Sequence, residues 1–105
     1  MAGAARSREE VIARLVSAEA ELLGLGVRRL ALFGSFARAE AGPASDVDVL
    51  VEFDPGQKTY DGFLELAELL ERLLQRPVEV VTTEALSPYI GPHILAEAED
   101  VIRAA

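Results

Sequence analysis

Apolar residues in the first third of the chain recur first at helical and then at strand spacing. Between Ser7 and Gly24 they return every three or four positions, and Ser7 with Glu10 three residues later matches a capping box. Residues 29–33 are short, mostly apolar and followed by Gly34, which is typical of a buried strand. We therefore predict a helix from about Ser7 to Gly24 and then a strand.

Residues 47–53 form the second predicted strand, and their side chains alternate between two faces. The three valines at positions 47, 49 and 51 are expected to face the core. Asp46, Asp48 and Leu50 are expected to face the other way. The two carboxylates therefore lie on one side of the sheet.

The remaining pattern predicts two more helices and a third strand. Apolar spacing indicates a helix over residues 63–74, β-branched residues indicate a strand at 78–82, and a last helix is expected at 92–97. A short helix at 35–40 precedes the second strand, and the tail from residue 100 onward is ambiguous. The order α-β-α-β-α-β-α favours an α/β fold with a small mixed sheet and flanking helices.

Length and composition limit the organisation of the chain. Its 105 residues predict one domain over residues 1–105, with residues 1–6 flexible. No apolar run approaches the roughly 20 residues that span a bilayer, and the first residues lack the apolar core of a signal peptide, so we expect a cytoplasmic protein without a membrane partner. Cysteine is absent, so a metal would be a hard cation on oxygen ligands, with magnesium as the natural candidate.

The net charge of −8, from 18 acids against 10 bases, argues against strong nucleic-acid binding, which depends on Lys and Arg. Negative charge could steer the chain toward a basic partner, or it could only keep the protein soluble. Charge alone leaves both readings open.

The chemistry is concentrated in two short segments. Asp46 and Asp48, separated by one residue on a strand, can hold divalent cations jointly. The turn Gly34-Ser35 follows a strand and precedes a short helix, where free backbone N–H groups suit a phosphate. Paired metal-binding acids beside a phosphate-binding turn are what nucleotidyl transfer requires.

The pattern G-S-x-x-R at 34–38, followed by S-D-x-D-x-x-V at 45–51, resembles the nucleotidyltransferase superfamily of DNA polymerase beta. Within it, the chain resembles the minimal nucleotidyltransferases that act as antitoxins beside HEPN-domain toxins. The resemblance covers nearly the whole chain and implies the nucleotidyltransferase fold.

The resemblance also implies roles for single residues. Gly34 and Ser35 would hold the terminal phosphates of the nucleotide. Ser45 would also belong to the nucleotide-binding residues, where it shapes the loop and fixes how Asp46 enters the site. Asp46 and Asp48 would be catalytic residues that bridge a pair of magnesium ions. Arg38 would either contact phosphate or brace the acidic strand by an ion pair.

The third carboxylate is where the chain departs from the family pattern. Members usually carry Asp on the next strand, whereas this chain carries Glu79, the expected third catalytic residue and metal ligand. The extra methylene of Glu moves its carboxylate beyond the position that Asp would give it, and a misplacement of about 1 Å can cost about 100-fold in rate, so catalysis is slowed, adjusted or lost. The alternative is that Glu79 is an ordinary acid on an exposed strand face. Lys58 is expected to be a solvated turn residue, Tyr89 to pack, and His93 to lie on the surface.

The resemblance implies an enzyme that uses magnesium, with two ions expected, to transfer AMP from ATP to a hydroxyl of a partner protein. The acceptor would be a tyrosine of a HEPN toxin, and the chain would act as its antitoxin. One alternative is an antitoxin that neutralises its toxin by binding alone. A further alternative is a nucleotidyltransferase acting on a small molecule or RNA.

Overall fold

The computed structural model describes residues 3–104, which form a sheet with helices on both faces. The strands are β1 (Val27–Phe33), β2 (Val47–Phe53), β3 (Val78–Thr82) and β4 (Glu99–Arg103). The helices are α1 (Arg8–Ser17), α2 (Glu19–Gly24), α3 (Gly34–Ala37), α4 (Tyr60–Leu74) and α5 (Gly91–Glu97), and a 3-10 turn covers Thr83–Ala85.

The sheet has the strand order β3-β2-β1-β4. Strand β1 is antiparallel to both β2 and β4, whereas β2 is parallel to β3, since α4 forms the crossover between them. The predicted small mixed sheet with flanking helices is therefore confirmed.

One face of the sheet carries the main hydrophobic core. Helices α1 and α4 cover it, and α4 begins at the Thr59 cap, whose hydroxyl accepts from the Gly62 N–H at 3.0 Å. The alternation of β2 directs its three valines into this core, as predicted. The buried side chains include Val11, Leu15, Leu22, Leu30, Leu32, Val47, Val49, Val51, Leu66, Leu70 and Leu74.

The opposite face carries a smaller apolar cluster of Ala31, Leu50 and Ile94. Leu50 was expected to point away from the core with the two aspartates, and it does face their side of the sheet. Its side chain is nevertheless buried, because α5 covers this part of the face. The sheet thus has a second core beside the acidic residues.

Besides small shifts of element bounds, two differences from the sequence prediction change the order of elements. The first helix is divided at Ala18, whose backbone leaves the helical region, and this change of direction allows Leu15 and Leu22 to be buried in one core. The ambiguous tail forms β4, which pairs with β1 and buries Ile102.

Residues 1–6 were expected to be flexible, and Met1 and Ala2 lie outside the described residues. Ala5 is fully buried, and its N–H donates to the Leu74 carbonyl at 2.9 Å. The chain at Ala5 is therefore anchored to the end of α4. Within residues 3–104, no helix is long and apolar enough to cross a bilayer, and the expected cytoplasmic location stays a prediction.

Candidate active site

Gly34 joins the end of β1 to α3 with a φ of 77°, in the left-handed region that favours glycine. A Cβ at this position would lie 3.0 Å from Cγ of Asp48 and closer still to its Oδ2. Glycine is required here because the backbone approaches the carboxylate of β2 directly. The predicted turn and the predicted acidic strand therefore meet.

Arg38 follows α3 and is bound by two acids. Its Nε donates to Glu40 at 3.1 Å, and its Nη1 donates to Oε1 of Glu97 at the end of α5. These hydrogen bonds raise the pKa of the Arg38 guanidinium, so the side chain stays charged. Both ion-pair partners of Arg38 therefore lie outside β2, and Arg38 makes no ion pair with the acidic strand among the described residues.

Glu97 is a residue of the site that sequence reasoning missed. The same Oε1 that binds Arg38 also accepts from the Gly34 N–H at 3.1 Å. No motif marks Glu97, because its partners lie 63 and 59 residues earlier in the chain. Only the placement of α5 beside α3 brings them together.

The sheet brings Asp48 and Glu79 side by side. They are register partners in the parallel pair β2–β3, so their side chains leave the same face of the sheet. Adjacent strands of a sheet lie about 4.8 Å apart. On the other flank, Asp48 is paired with Phe33, which immediately precedes Gly34. Asp48 therefore lies between the glycine turn and Glu79.

Negative charge accumulates at this point. Burial, hydrogen bonding to Glu79, and the charges of Glu79, Asp46 and Glu97 raise the pKa of Asp48 to about 6. Asp46 is exposed, at the end of the loop that enters β2. A carboxylate with a raised pKa beside other acids is typical of a functional site.

The loop before Asp46 is fixed from two sides. The Ser45 hydroxyl accepts from the Gly42 N–H at 2.9 Å, which closes a turn in this loop. Arg76 donates to the carbonyls of Pro43 at 2.9 Å and Ser45 at 3.1 Å, and its guanidinium lies 5.1 Å from the ring centre of Phe36. Arg76 was also missed, since its contacts are to backbone atoms far away in sequence.

The other candidates are more peripheral. Ser35 is half-buried in α3, next to the glycine turn. Lys58 pairs with Glu84 at 3.4 Å, and His93 is exposed as expected. Tyr89 was expected to pack, but 87% of its surface is exposed in this chain, so that expectation is wrong.

The fit of a metal rests on the chemistry of these side chains. Asp46, Asp48 and Glu79 supply the carboxylate oxygens that magnesium prefers, and their mutual repulsion would be relieved by a cation. Among residues 3–104, however, no three acids or histidines stand close enough to form a metal centre in their present positions. The donor set fits magnesium, while a three-ligand site requires the side chains to move.

Comparison with known proteins gives consistent matches. The family model described as a nucleotidyltransferase domain matches residues 12–101. A Methanocaldococcus jannaschii relative, named provisionally as a protein adenylyltransferase, is 42% identical over 81 residues, covering 77% of this chain and 86% of its own. The protein adenylyltransferase MntA of Thermococcus cleftensis is 39% identical over 90 residues, covering 85% and 90%.

Solved structures agree with the sequence relatives. A candidate minimal nucleotidyltransferase superimposes with a TM-score of 0.81 and 34% identity, covering 92% of this chain and 98% of that one. A toxin-antitoxin with AMP-PNP gives 0.71 at 18% identity, covering 89% and 73%. A tri-AMPylated Shewanella oneidensis HEPN toxin in complex with MNT antitoxin gives 0.66 at 15% identity, covering 92% and 73%. The last two support the fold alone, and together the matches confirm the predicted resemblance.

Proposed function

The chain belongs to the nucleotidyltransferase domain family, and on this premise we propose that it is a magnesium-dependent protein adenylyltransferase. It would transfer AMP from ATP to a tyrosine hydroxyl of a HEPN-domain toxin and so act as its antitoxin. The observation that carries the proposal is the position of Asp48, between the Gly34 turn and Glu79 on one face of the sheet.

The relatives support the choice of substrate and partner. Two relatives at about 40% identity are named as protein adenylyltransferases. One structure of the same fold contains AMP-PNP with a toxin-antitoxin, and another is a tri-AMPylated HEPN toxin with its MNT antitoxin. AMP as the transferred group and a HEPN toxin as the acceptor are proposed for this chain from these likenesses.

We propose a task for each residue that is consistent with this geometry. The Gly34 N–H, the Ser35 hydroxyl and the Arg38 guanidinium would hold the phosphates, with the rigid Ser45 loop placing Asp46 beside them. Asp46 and Asp48 would hold magnesium, with Glu79 as the third ligand. The bound ions would neutralise phosphate charge and orient the triphosphate.

In the transfer step, the acceptor oxygen forms a bond to the α-phosphorus of ATP, and the bond from that phosphorus to the β-phosphate bridging oxygen breaks. Pyrophosphate leaves with that oxygen. Glu79 or Asp48 takes the proton of the acceptor hydroxyl. Since Glu79 flanks Asp48 on the side away from Gly34, the acceptor is expected to approach over β3.

The deciding experiment incubates the chain with ATP, magnesium and the proposed HEPN-toxin partner, and measures the toxin mass and ribonuclease activity. We expect AMP to be added to a toxin tyrosine and the toxin to lose activity. Asp46→Asn with Asp48→Asn should reduce transfer by at least about 1,000-fold, equal to about 4 kcal/mol of transition-state stabilisation. Inhibition of the toxin by this double variant without any mass increase would instead establish neutralisation by binding.

A second experiment tests the lengthened third acid. We expect Glu79→Ala to eliminate transfer, because a metal ligand and proton acceptor is lost. Glu79→Asp should preserve or raise the rate, since it restores the usual reach of the family. Equal rates for the wild type and Glu79→Ala would remove Glu79 from the mechanism.

A third experiment isolates binding from catalysis. Saturating magnesium and ATP should raise the melting temperature of the chain by mass action. The rise should disappear in the Asp46→Asn, Asp48→Asn variant, since the cation then lacks its carboxylates. An equal rise in both proteins would place the nucleotide elsewhere.

A further inference from the structure

One carboxylate oxygen already occupies two of the three groups proposed to hold phosphate. Oε1 of Glu97 accepts from the Gly34 N–H at 3.1 Å and from Nη1 of Arg38. Glu97 is half-buried at the end of α5, and its side chain points across to the start of α3. The chain therefore supplies its own anion at this point.

A carboxylate and a phosphate compete for such donors because both present anionic oxygens to an N–H group and a guanidinium. The Gly34 N–H is a single donor, so it cannot bind a phosphate oxygen while it donates to Glu97. The N–H of Arg38 Nη1 that is directed at Glu97 is occupied in the same way. The charge of Glu97 also reaches Asp48, so it adds to the repulsion that an incoming triphosphate meets.

We propose that Glu97 is an internal competitor of the triphosphate: it holds Gly34 and Arg38 in the free chain and is displaced when the nucleotide binds. This inference rests on the proposed nucleotide site. Glu97 keeps the two donors paired and in place, at the cost of a lower nucleotide affinity.

The surrounding contacts allow Glu97 to leave without unfolding the site. The next residue is anchored by its backbone, since the Ala98 N–H donates to the Ile94 carbonyl at 2.8 Å, so only the Glu97 side chain has to rotate. Arg38 keeps its second partner, Glu40, at 3.1 Å from Nε. The guanidinium therefore stays near the turn when the N–H directed at Glu97 becomes free for phosphate.

The test compares Glu97→Gln with Glu40→Gln by calorimetric titration with inorganic tripolyphosphate, with and without magnesium. Both substitutions remove one negative charge from a partner of Arg38, but only the first removes the anion from Gly34. We expect Glu97→Gln to bind tripolyphosphate about 5- to 10-fold more tightly than the wild type, and Glu40→Gln to change affinity by about twofold or less.

A second variant and a second readout separate competition from a structural role. Glu97→Asp keeps the charge but shortens the side chain, and it should also bind tripolyphosphate more tightly than the wild type. In nitrogen-15 NMR spectra, tripolyphosphate should move the Ala98 amide resonance of the wild type, because Glu97 is displaced beside it. The same resonance should move less in Glu97→Gln.

Weaker binding by Glu97→Gln would overturn the inference, because Glu97 would then position Arg38 for the phosphate. Equal affinities in the wild type, Glu97→Gln and Glu40→Gln would overturn it as well, while leaving the proposed nucleotide site intact. Failure of tripolyphosphate and of ATP with magnesium to bind the wild type would overturn both this inference and the proposed site.

Discussion

The two faces of the sheet are covered to different extents. On one face, α1 and α4 close over a continuous core in which side chains such as Leu70 are wholly buried. On the other, α5 covers only Ala31, Leu50 and their neighbours, while Asp48 and Glu79 lie on the uncovered part. The same strand β2 serves both faces, because its side chains alternate.

This difference separates stability from chemistry. Burial of apolar surface on the α1 and α4 face supplies most of the favourable free energy of folding. The acidic face works against it, since burial and neighbouring acids raise the pKa of Asp48. Carboxylates held together at a cost in stability are expected where a bound cation later compensates them.

The largest effect on stability should come from the closed face. Leu70→Ala removes a fully buried side chain of α4, and we expect it to lower the free energy of unfolding by about 3 kcal/mol. Ile94→Ala, in the smaller cluster under α5, is the matched control and should cost about half as much. Urea denaturation measures both, and equal losses would contradict the contrast between the two faces.

The second prediction concerns the turn between β1 and α3, where Gly34 contacts Asp48. Gly34→Ala introduces a Cβ against Asp48 at a φ of 77°, so we expect a loss of about 2 kcal/mol in unfolding free energy. Binding of tripolyphosphate should also weaken, because the turn must shift. Gly42→Ala is the control, since a Cβ there meets open space, and it should leave the stability within about 0.5 kcal/mol of the wild type. A loss of unfolding free energy in Gly34→Ala no larger than that in Gly42→Ala would show that the turn relaxes to accept a Cβ, against this prediction.

Local patterns predicted the elements that carry strong periodicity or turn chemistry. Strands β2 and β3 have the predicted bounds, because valine-rich runs between turns leave little ambiguity. Strand β4 was missed because Glu99–Arg103 is an edge segment in which Ile102 is the buried side chain. The division of the first helix at Ala18 depends on packing against the sheet, which local spacing does not contain.

The site residues divide in the same way, into those that short sequence motifs reveal and those that only the fold brings together. Gly34 and Asp48 lie in short motifs, so their chemistry is visible in the sequence, and the register of β2 with β3 then brings Glu79 beside Asp48. Glu97 and Arg76 lie outside any motif. Their contacts join α5 to α3 and the end of α4 to the loop before β2, so only the assembled fold reveals them.

The smallest effect should be a pH-dependent gain in the free energy of unfolding when Asp48, on the face that α5 leaves open, loses its charge. The folded pKa of Asp48, about 6, exceeds its ordinary value of 3.8, so the folded chain holds this proton more tightly than the unfolded chain. Well below its ordinary value of 3.8 the group is protonated in both states and costs nothing. As the pH rises from about 4 to 6, ionisation of Asp48 destabilises the folded state, and the penalty is complete above that range.

Asp48→Asn removes this titration, so in metal-free buffer it should unfold at higher urea than the wild type at pH 7.5, and most of that advantage should be lost at pH 4. Because solvent screens a partly exposed carboxylate, we expect a gain of about 1 kcal/mol or less. Glu65→Gln, which neutralises an exposed acid of α4, is the control for the overall charge and should show no comparable dependence on pH. A gain for Asp48→Asn that persists undiminished at pH 4 would mean that asparagine packs better there, and that the acidic face carries no electrostatic penalty.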